Sequence, residues 1–174
     1  GDYFDQKIMQ WLMDEFNKQT GMDISGDKAA IQRLKDAAEK AKITLSSAES
    51  TEINLPYLTA DSKGPKHLVK TMTRTDLEKL VMDLVDATFV PVKKALKDAK
   101  VDIKDLDDVV MVGGMNRMPI VFKKVKEFFG REPHLGVNHD EVVAVGAAIH
   151  GAILQGYSCV KDINILDVNA LTLV

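Results

Sequence analysis

Residues 109 to 119 read VVMVGGMNRMP, and this stretch constrains the fold more than any other. With the two aspartates before it, DDVVMV is a short unbroken apolar run, the pattern of a strand buried on both faces in a parallel sheet. GGMNRM follows as a loop. Pro119 then stands at a first helical position and opens PIVFKKVKEFF, which Gly130 closes. Strand, loop and helix in that order call for an α/β fold. Gly113 and Gly114 would expose backbone amides near a helix N-terminus, a favourable place for an anion or a purine edge. A tight turn that needs positive φ reads the same way, and spacing alone leaves both open.

Helical periodicity dominates the first half. Phe4, Ile8, Trp11, Leu12 and Phe16 recur at helical spacing from Tyr3 to about Gln19, with Gly21 as the stop. A second helix is predicted from about Asp27 to Ser46, with Ile31, Leu34, Ala38, Ala41 and Leu45 on one face. Alternation then takes over in STEINLPYLT, placing Ile53, Leu55 and Tyr57 on one side, while Pro56 marks an edge strand or bulge. ADSKGPK turns the chain and HLVKTM returns it as a hairpin. Thr73 with Asp76 reads as the N-cap of a helix bearing Leu77, Leu80, Val81 and Leu84, which Pro91 should kink or split before VKKALKDAK. In the last predicted helix, DEVVAVGAAIHGAIL, the small residues Gly146, Ala147, Ala148, Gly151 and Ala152 would permit close packing on a sheet. QGYS reads as a linker and VKDINILDVNALTLV as an extended tail.

The formal charge of −3 gives no reason to expect nucleic acid or an anionic membrane as partner. Cys159 is the sole cysteine, so no intrachain disulfide can form, which fits a reducing compartment. No stretch approaches the length of a membrane span, and GDYFDQK lacks the flank and apolar run of a signal peptide.

Candidate binding residues lie in two further places. Glu39, Lys42 and Ser46 are spaced i, i+3 and i+7 on the second helix and share a polar stripe beside its apolar face. A carboxylate, an ammonium and a hydroxyl there could hydrogen-bond a ribose and flank an adenine. On the residues alone, a solvated helix flank is the commoner use. In NHDE, residues 138 to 141, Asn138 or Asp140 could cap the last helix, which accounts for these residues without a ligand. The four histidines have no i, i+4 pairing and no cysteine partner, so a metal site is not indicated. The glycine-rich phosphate and dinucleotide motifs and the nucleophile-elbow motif are absent.

Taken together, GDYFDQKIMQWLMDEF, RLKDAAEKAKITLSSAESTEINLPYLTADSKGPKHL, MTRTDLEKLVMDLV, VVMVGGMNRMP and VNHDEVVAVGAAIHGAIL resemble the seventy-kilodalton heat-shock chaperones of the bacterial DnaK and mitochondrial type. The GGM loop and FFGREPH are most similar to alphaproteobacterial and mitochondrial members, which implies bacterial cytoplasm or mitochondrial matrix. The resemblance implies an actin-like ATPase domain, of which this chain would be most of the second lobe. Residues 1–76 would form its helix-and-hairpin outer subdomain, 77–158 part of its sheet-and-helix inner subdomain, and 159–174 the interdomain linker and the start of the substrate-binding domain.

Carried across residue by residue, the resemblance implies that Glu39, Lys42 and Ser46 contact the adenosine of ATP or ADP. Gly113, Gly114, Met115 and Arg117 would line the other side of the base, and Asp140 would support the site. Arg117 could then lie flat on the ring. The family's phosphate-binding loops and magnesium ligands fall outside this chain, so no ATP hydrolysis by the chain alone is expected, and an exposed sheet edge favours some self-association. Implied partners are the first lobe of the ATPase domain, a GrpE-type nucleotide exchange factor gripping the outer subdomain, a J-domain co-chaperone acting through the linker region, and the substrate-binding domain. Three positions depart from the family pattern: His139 replaces a usual proline, Asn164 interrupts an apolar linker, and Ala170 again replaces proline. Burying the Asn164 amide unpartnered in a docked linker would cost roughly 1–3 kcal/mol.

Overall fold

The computed structural model describes residues 1–134, 136, 138 and 141–164. Among them the chain divides into two units: Gly1–Val109 with Met115–Pro133, and Val110–Gly114 with the described residues from His134 onward.

The first unit is built on two long helices. In α1 (Asp2–Thr20), Ile8, Leu12 and Phe16 step by four along one face and are fully buried. Gly21 ends the helix in the left-handed conformation at φ 73° and donates its N–H to Asn17 O, where glycine carries no Cβ penalty. In α2 (Lys28–Ser47), the Asp27 carboxylate accepts from the amides of Ala29 and Ala30 and caps the N-terminus. Ala30, Leu34, Ala38, Ala41 and Leu45 face the core. Each fully buried large side chain contributes roughly 1.5–3 kcal/mol, so this shared face sets the fold of the unit.

Strands β1 (Ser50–Asp61) and β2 (Gly64–Thr73) form an antiparallel hairpin, in register from Ser50↔Thr73 to Leu55↔Leu68. The register then shifts between Leu55 and Thr59. Strict alternation would have put Tyr57 inward with Ile53 and Leu55. Instead Pro56, Tyr57 and Leu58 bulge between the pairs Leu55↔Leu68 and Thr59↔Lys66, leaving Tyr57 exposed and Leu58 buried. Tyr57 adopts φ 52°; its N–H donates to His67 Nδ1 at 2.6 Å, and Arg33 donates to the carbonyls of Pro56 and Tyr57 at 2.7 and 2.8 Å. Three side-chain-to-backbone bonds thus hold a backbone that proline has removed from the ladder.

Helix α3 (Arg74–Ala87) opens on a complete capping box: Thr73 accepts from the Asp76 amide while the Asp76 carboxylate accepts from the Thr73 amide. Leu77, Val81 and Val85 bury against α1 and α2. The chain breaks at Thr88, four residues before VKKALKDAK, and α4 (Phe89–Ala99) begins there. Pro91 accounts for the break: its ring clashes with, and its missing N–H cannot serve, the carbonyl four residues earlier, and inside the first turn of α4 it needs no donor. Helix α5 (Pro119–Phe129) starts with proline at its first position and stops at Gly130, φ 66°. It joins α4 through Phe89 and Phe128, whose rings lie 4.9 Å apart.

The second unit departs from expectation. DDVVMV forms no strand; Val110 makes a single isolated parallel bridge to His134, and Val110 and Val112 are exposed. A parallel strand is stable only between neighbours, and the described residues supply none beyond that bridge. Helix α6 (Val142–Leu154) starts at Val142 rather than at Asp140, with the Asn138 carbonyl accepting from the amides of Glu141 and Val142. In its small flank, a Cβ on Gly146 or Gly151 would meet no atom within 4 Å among the described residues. Val143, Val145, Ile149 and Leu154 are exposed. Beyond Gly156 the chain makes one 3-10 turn, Ser158–Val160, rather than the extended start expected for the tail. Residues 165–174, with Ala170, lie outside the described residues, as do His139 and Asp140.

Candidate functional site

Helix α2 presents Glu39, Lys42 and Ser46 on the flank opposite Arg33. Glu39 is exposed and Ser46 half-buried, its hydroxyl donating to Lys42 O at 3.1 Å. Lys42 is different. Its side chain lies at the edge of the core, and its Nζ sits 2.8 Å from Oδ1 and 2.9 Å from Oδ2 of Asp5 on α1. Both residues are more than nine-tenths buried. Nζ straddles the carboxylate, and the directed hydrogen bond goes to Oδ2. Oδ1 is left with charge contact but no well-aligned donor among the described residues.

Asp5 was not singled out in the sequence, although its signal is there. Asp5, Ile8, Leu12 and Phe16 form one continuous stripe at spacings of three, four and four, so a carboxylate stands where the period demands a core residue. Such a group needs a buried cation, and Lys42 is the one that the fold brings to it.

The loop after the glycines reaches the same neighbourhood. Gly114–Arg117 is a 3-10 turn, anchored by buried Met118, whose amide donates to Met115 O at 3.2 Å. Met115 is half-buried against the core. A Cβ placed on Gly1 would lie 3.2 Å from Lys42 Nζ and 3.9 Å from Met115 Sδ, so the thioether and the ammonium converge beside Gly1. Arg117 is exposed at the end of that turn.

Gly113 belongs to the other unit and differs from its neighbour: it has φ 95°, whereas Gly114 needs no positive φ. A Cβ on either would meet no atom within 4 Å among the described residues, so no crowding inside the chain requires the second glycine. Among the described residues no group of three or more His, Cys, Asp or Glu side chains could hold a metal ion.

The family model of the Hsp70 protein matches residues 1–174, the whole of the sequence. The chain belongs to the Hsp70 family. With that family come an actin-like ATPase fold and an ATP-binding heat-shock chaperone's nucleotide-binding domain, and the helices with a two-stranded sheet seen here are consistent with part of such an α/β domain. Hsp70 proteins bind ATP or ADP with magnesium. In this Hsp70 chain the features nearest to a ligand-binding constellation are the α2 flank and the Met115 turn.

Proposed function

We propose that this chain supplies the adenosine side of the ATP/ADP site in the second lobe of a chaperone of the DnaK or mitochondrial type. Residues 1–76 are read as the outer subdomain, 77–158 as part of the inner one, and 159–174 as the linker region leading to the substrate-binding domain. The observation that carries this reading is the convergence of Lys42 and Met115 beside Gly1, with Ser46 one turn along α2 and Glu39 on the same flank. The buried Asp5 carboxylate fixes the Lys42 terminus, so the edge of α2 beside Gly1 and Met115 is held in place before any ligand arrives. Met115 adds a polarizable thioether of the kind that favours aromatic contact, and the exposed guanidinium of Arg117 suits stacking. Gly113, Gly114 and Asp140 keep the roles that the resemblance gives them.

Phosphoryl transfer needs phosphate positioning and metal-assisted charge stabilisation, and neither a phosphate-loop motif nor a metal-ligand cluster among the described residues supports it here. The chain alone is therefore proposed to bind adenosine weakly and not to turn ATP over. Titration with ADP followed by amide NMR tests this. Shifts confined to the α2 flank and residues 115–118, reduced by Lys42→Met and Arg117→Ala, are expected. Metal-dependent turnover lost on Arg117→Ala, or shifts confined to other elements, would overturn it.

A second reading rests on the first unit closing its own hydrophobic core around α1, α2, the hairpin and α3. Such a body can serve as a grip for a GrpE-type exchange factor without useful nucleotide affinity of its own. Calorimetry with a GrpE-type protein separates the two readings, since only this one expects binding in the absence of any ADP response. The first lobe of the ATPase domain and a J-domain co-chaperone are the other partners of the proposed parent. Bacterial cytoplasm or mitochondrial matrix is its proposed location.

A further inference from the structure

A groove of about 440 Å³ runs along the opposite flank of α2 from the proposed adenosine contacts. One wall consists of Arg33, Asp36, Ala37, Lys40 and Ala41. The other is formed by five consecutive residues of one strand, Thr51 to Leu55. Successive strand residues point to opposite faces. A cavity touched by five in a row therefore follows the strand's edge rather than one of its faces.

That edge is open. The sheet has two strands in the order β1-β2, so the other side of β1 has no strand partner among the described residues. Its far end is closed, because Arg33 takes the carbonyls of Pro56 and Tyr57. Facing the open part, Ala37 and Ala41 are small enough to leave room between helix and strand. The volume lies within the roughly 300–1,000 Å³ usual for a binding pocket.

We infer that the β1 edge is a docking groove for an extended peptide segment that joins the hairpin as a third strand, with acidic, basic and acidic side chains at alternate positions. Backbone groups of Thr51–Leu55 give the ladder, as in strand addition to an exposed sheet edge. The charges on α2 give the selectivity. Arg33, Asp36 and Lys40 are spaced three and four residues apart, about 10 Å in all along the helix. Alternate residues of an added strand span about 13 Å over the same three positions, and long side chains absorb the difference. The wall reads positive, negative, positive, so its complement reads negative, positive, negative. Glu52 lines the groove from the strand side and adds a negative charge there, while the alternating pattern is read from the α2 wall.

The acetylated and amidated peptide SEVKVES presents that complement and reads the same in both directions, so it serves for parallel and antiparallel pairing. Added to the full chain, it is expected to shift the amides of Thr51–Leu55 and to leave the Met115–Met118 amides unmoved. The charge-reversed peptide SKVEVKS should bind about ten-fold more weakly. Asp36→Lys, an exposed change that leaves the fold intact, should weaken SEVKVES several-fold and transfer the preference to SEVEVES. Equal affinity for the two charge patterns, shifts mapping away from β1, or no shift at millimolar peptide would each overturn the proposal. It does not depend on the adenosine reading, because ADP and the peptide perturb opposite flanks of α2.

Discussion

Asp5 and Lys42 form an ion pair more than nine-tenths buried, with Nζ 2.8 and 2.9 Å from the two carboxylate oxygens. The pair joins the first turn of α1 to the proposed site on α2. Removing one member of a buried pair leaves the other charge uncompensated, at a typical cost of about 3–5 kcal/mol. Asp5→Ala is therefore expected to lower the urea midpoint strongly, whereas the joint change Asp5→Leu with Lys42→Met should cost much less. A double variant as unstable as Asp5→Ala would show that the pair's worth lies in more than mutual neutralisation.

The capping box of α3 leads to a pH prediction. Hydrogen bonds from the Thr73 hydroxyl and then the Thr73 amide hold the Asp76 carboxyl below its ordinary value of 3.8. A depressed folded-state value means that the ionised group stabilises the fold above the ordinary aspartate range, and that this contribution is lost as pH falls through the lower folded value. Thr73→Ala should cost about 1 kcal/mol near neutrality. As pH falls through the lowered folded value its penalty should shrink, which thermal melts along a pH series would register.

At the hairpin bulge, His67→Phe keeps a ring beside Tyr57 but removes the Nδ1 acceptor of the Tyr57 amide. The site is exposed and water can replace the acceptor, so the stability loss should be at the low end of about 0.5–1.5 kcal/mol. Hydrogen exchange is the sharper measurement: the Tyr57 amide should exchange faster while that of Leu68 stays protected.

Core and surface substitutions should separate the two units. Phe16 is fully buried, and Phe16→Ala should cost about 3–5 kcal/mol by equilibrium unfolding. Val143 is 72% exposed, and Val143→Ala should stay within about 0.5 kcal/mol. A large loss at Val143 would mean that α6 is covered in solution.

The sequence foretells the first unit well because its signals are local. Gly21, Asp27, Thr73 with Asp76, Pro119 and Gly130 each punctuate an element through a backbone group that they satisfy or release. The apolar periods of α1 and α2 then leave little choice of face. Tyr57 escaped because alternation assumes an unbroken pleat, and the proline bulge sets three residues of β1 against one of β2. DDVVMV and the small flank of α6 escaped for another reason. Both patterns describe burial against neighbours, which periodicity cannot supply. In the candidate site, Glu39, Lys42 and Ser46 were legible as a stripe, but the stripe does not say that Lys42 bends inward. That follows from Asp5, thirty-seven positions away, and pairing over such a separation is a property of the fold.

The bulge at Pro56 and Tyr57 also sets where this hairpin tolerates changes in length. Within it, Leu58 rather than Tyr57 fills the core. Pro56, Tyr57 and Leu58 stand opposite His67 alone between the pairs Leu55↔Leu68 and Thr59↔Lys66, so Leu58 reaches the core only through this local path. At the tip itself, Lys63 donates its amide to Asp61 Oδ1 and Gly64 takes φ 114°, and no core residue depends on the count there. Insertions between Asp61 and Gly64 should therefore be absorbed as loop, while length changes between Leu55 and Thr59, where the register shifts, should unseat Leu58.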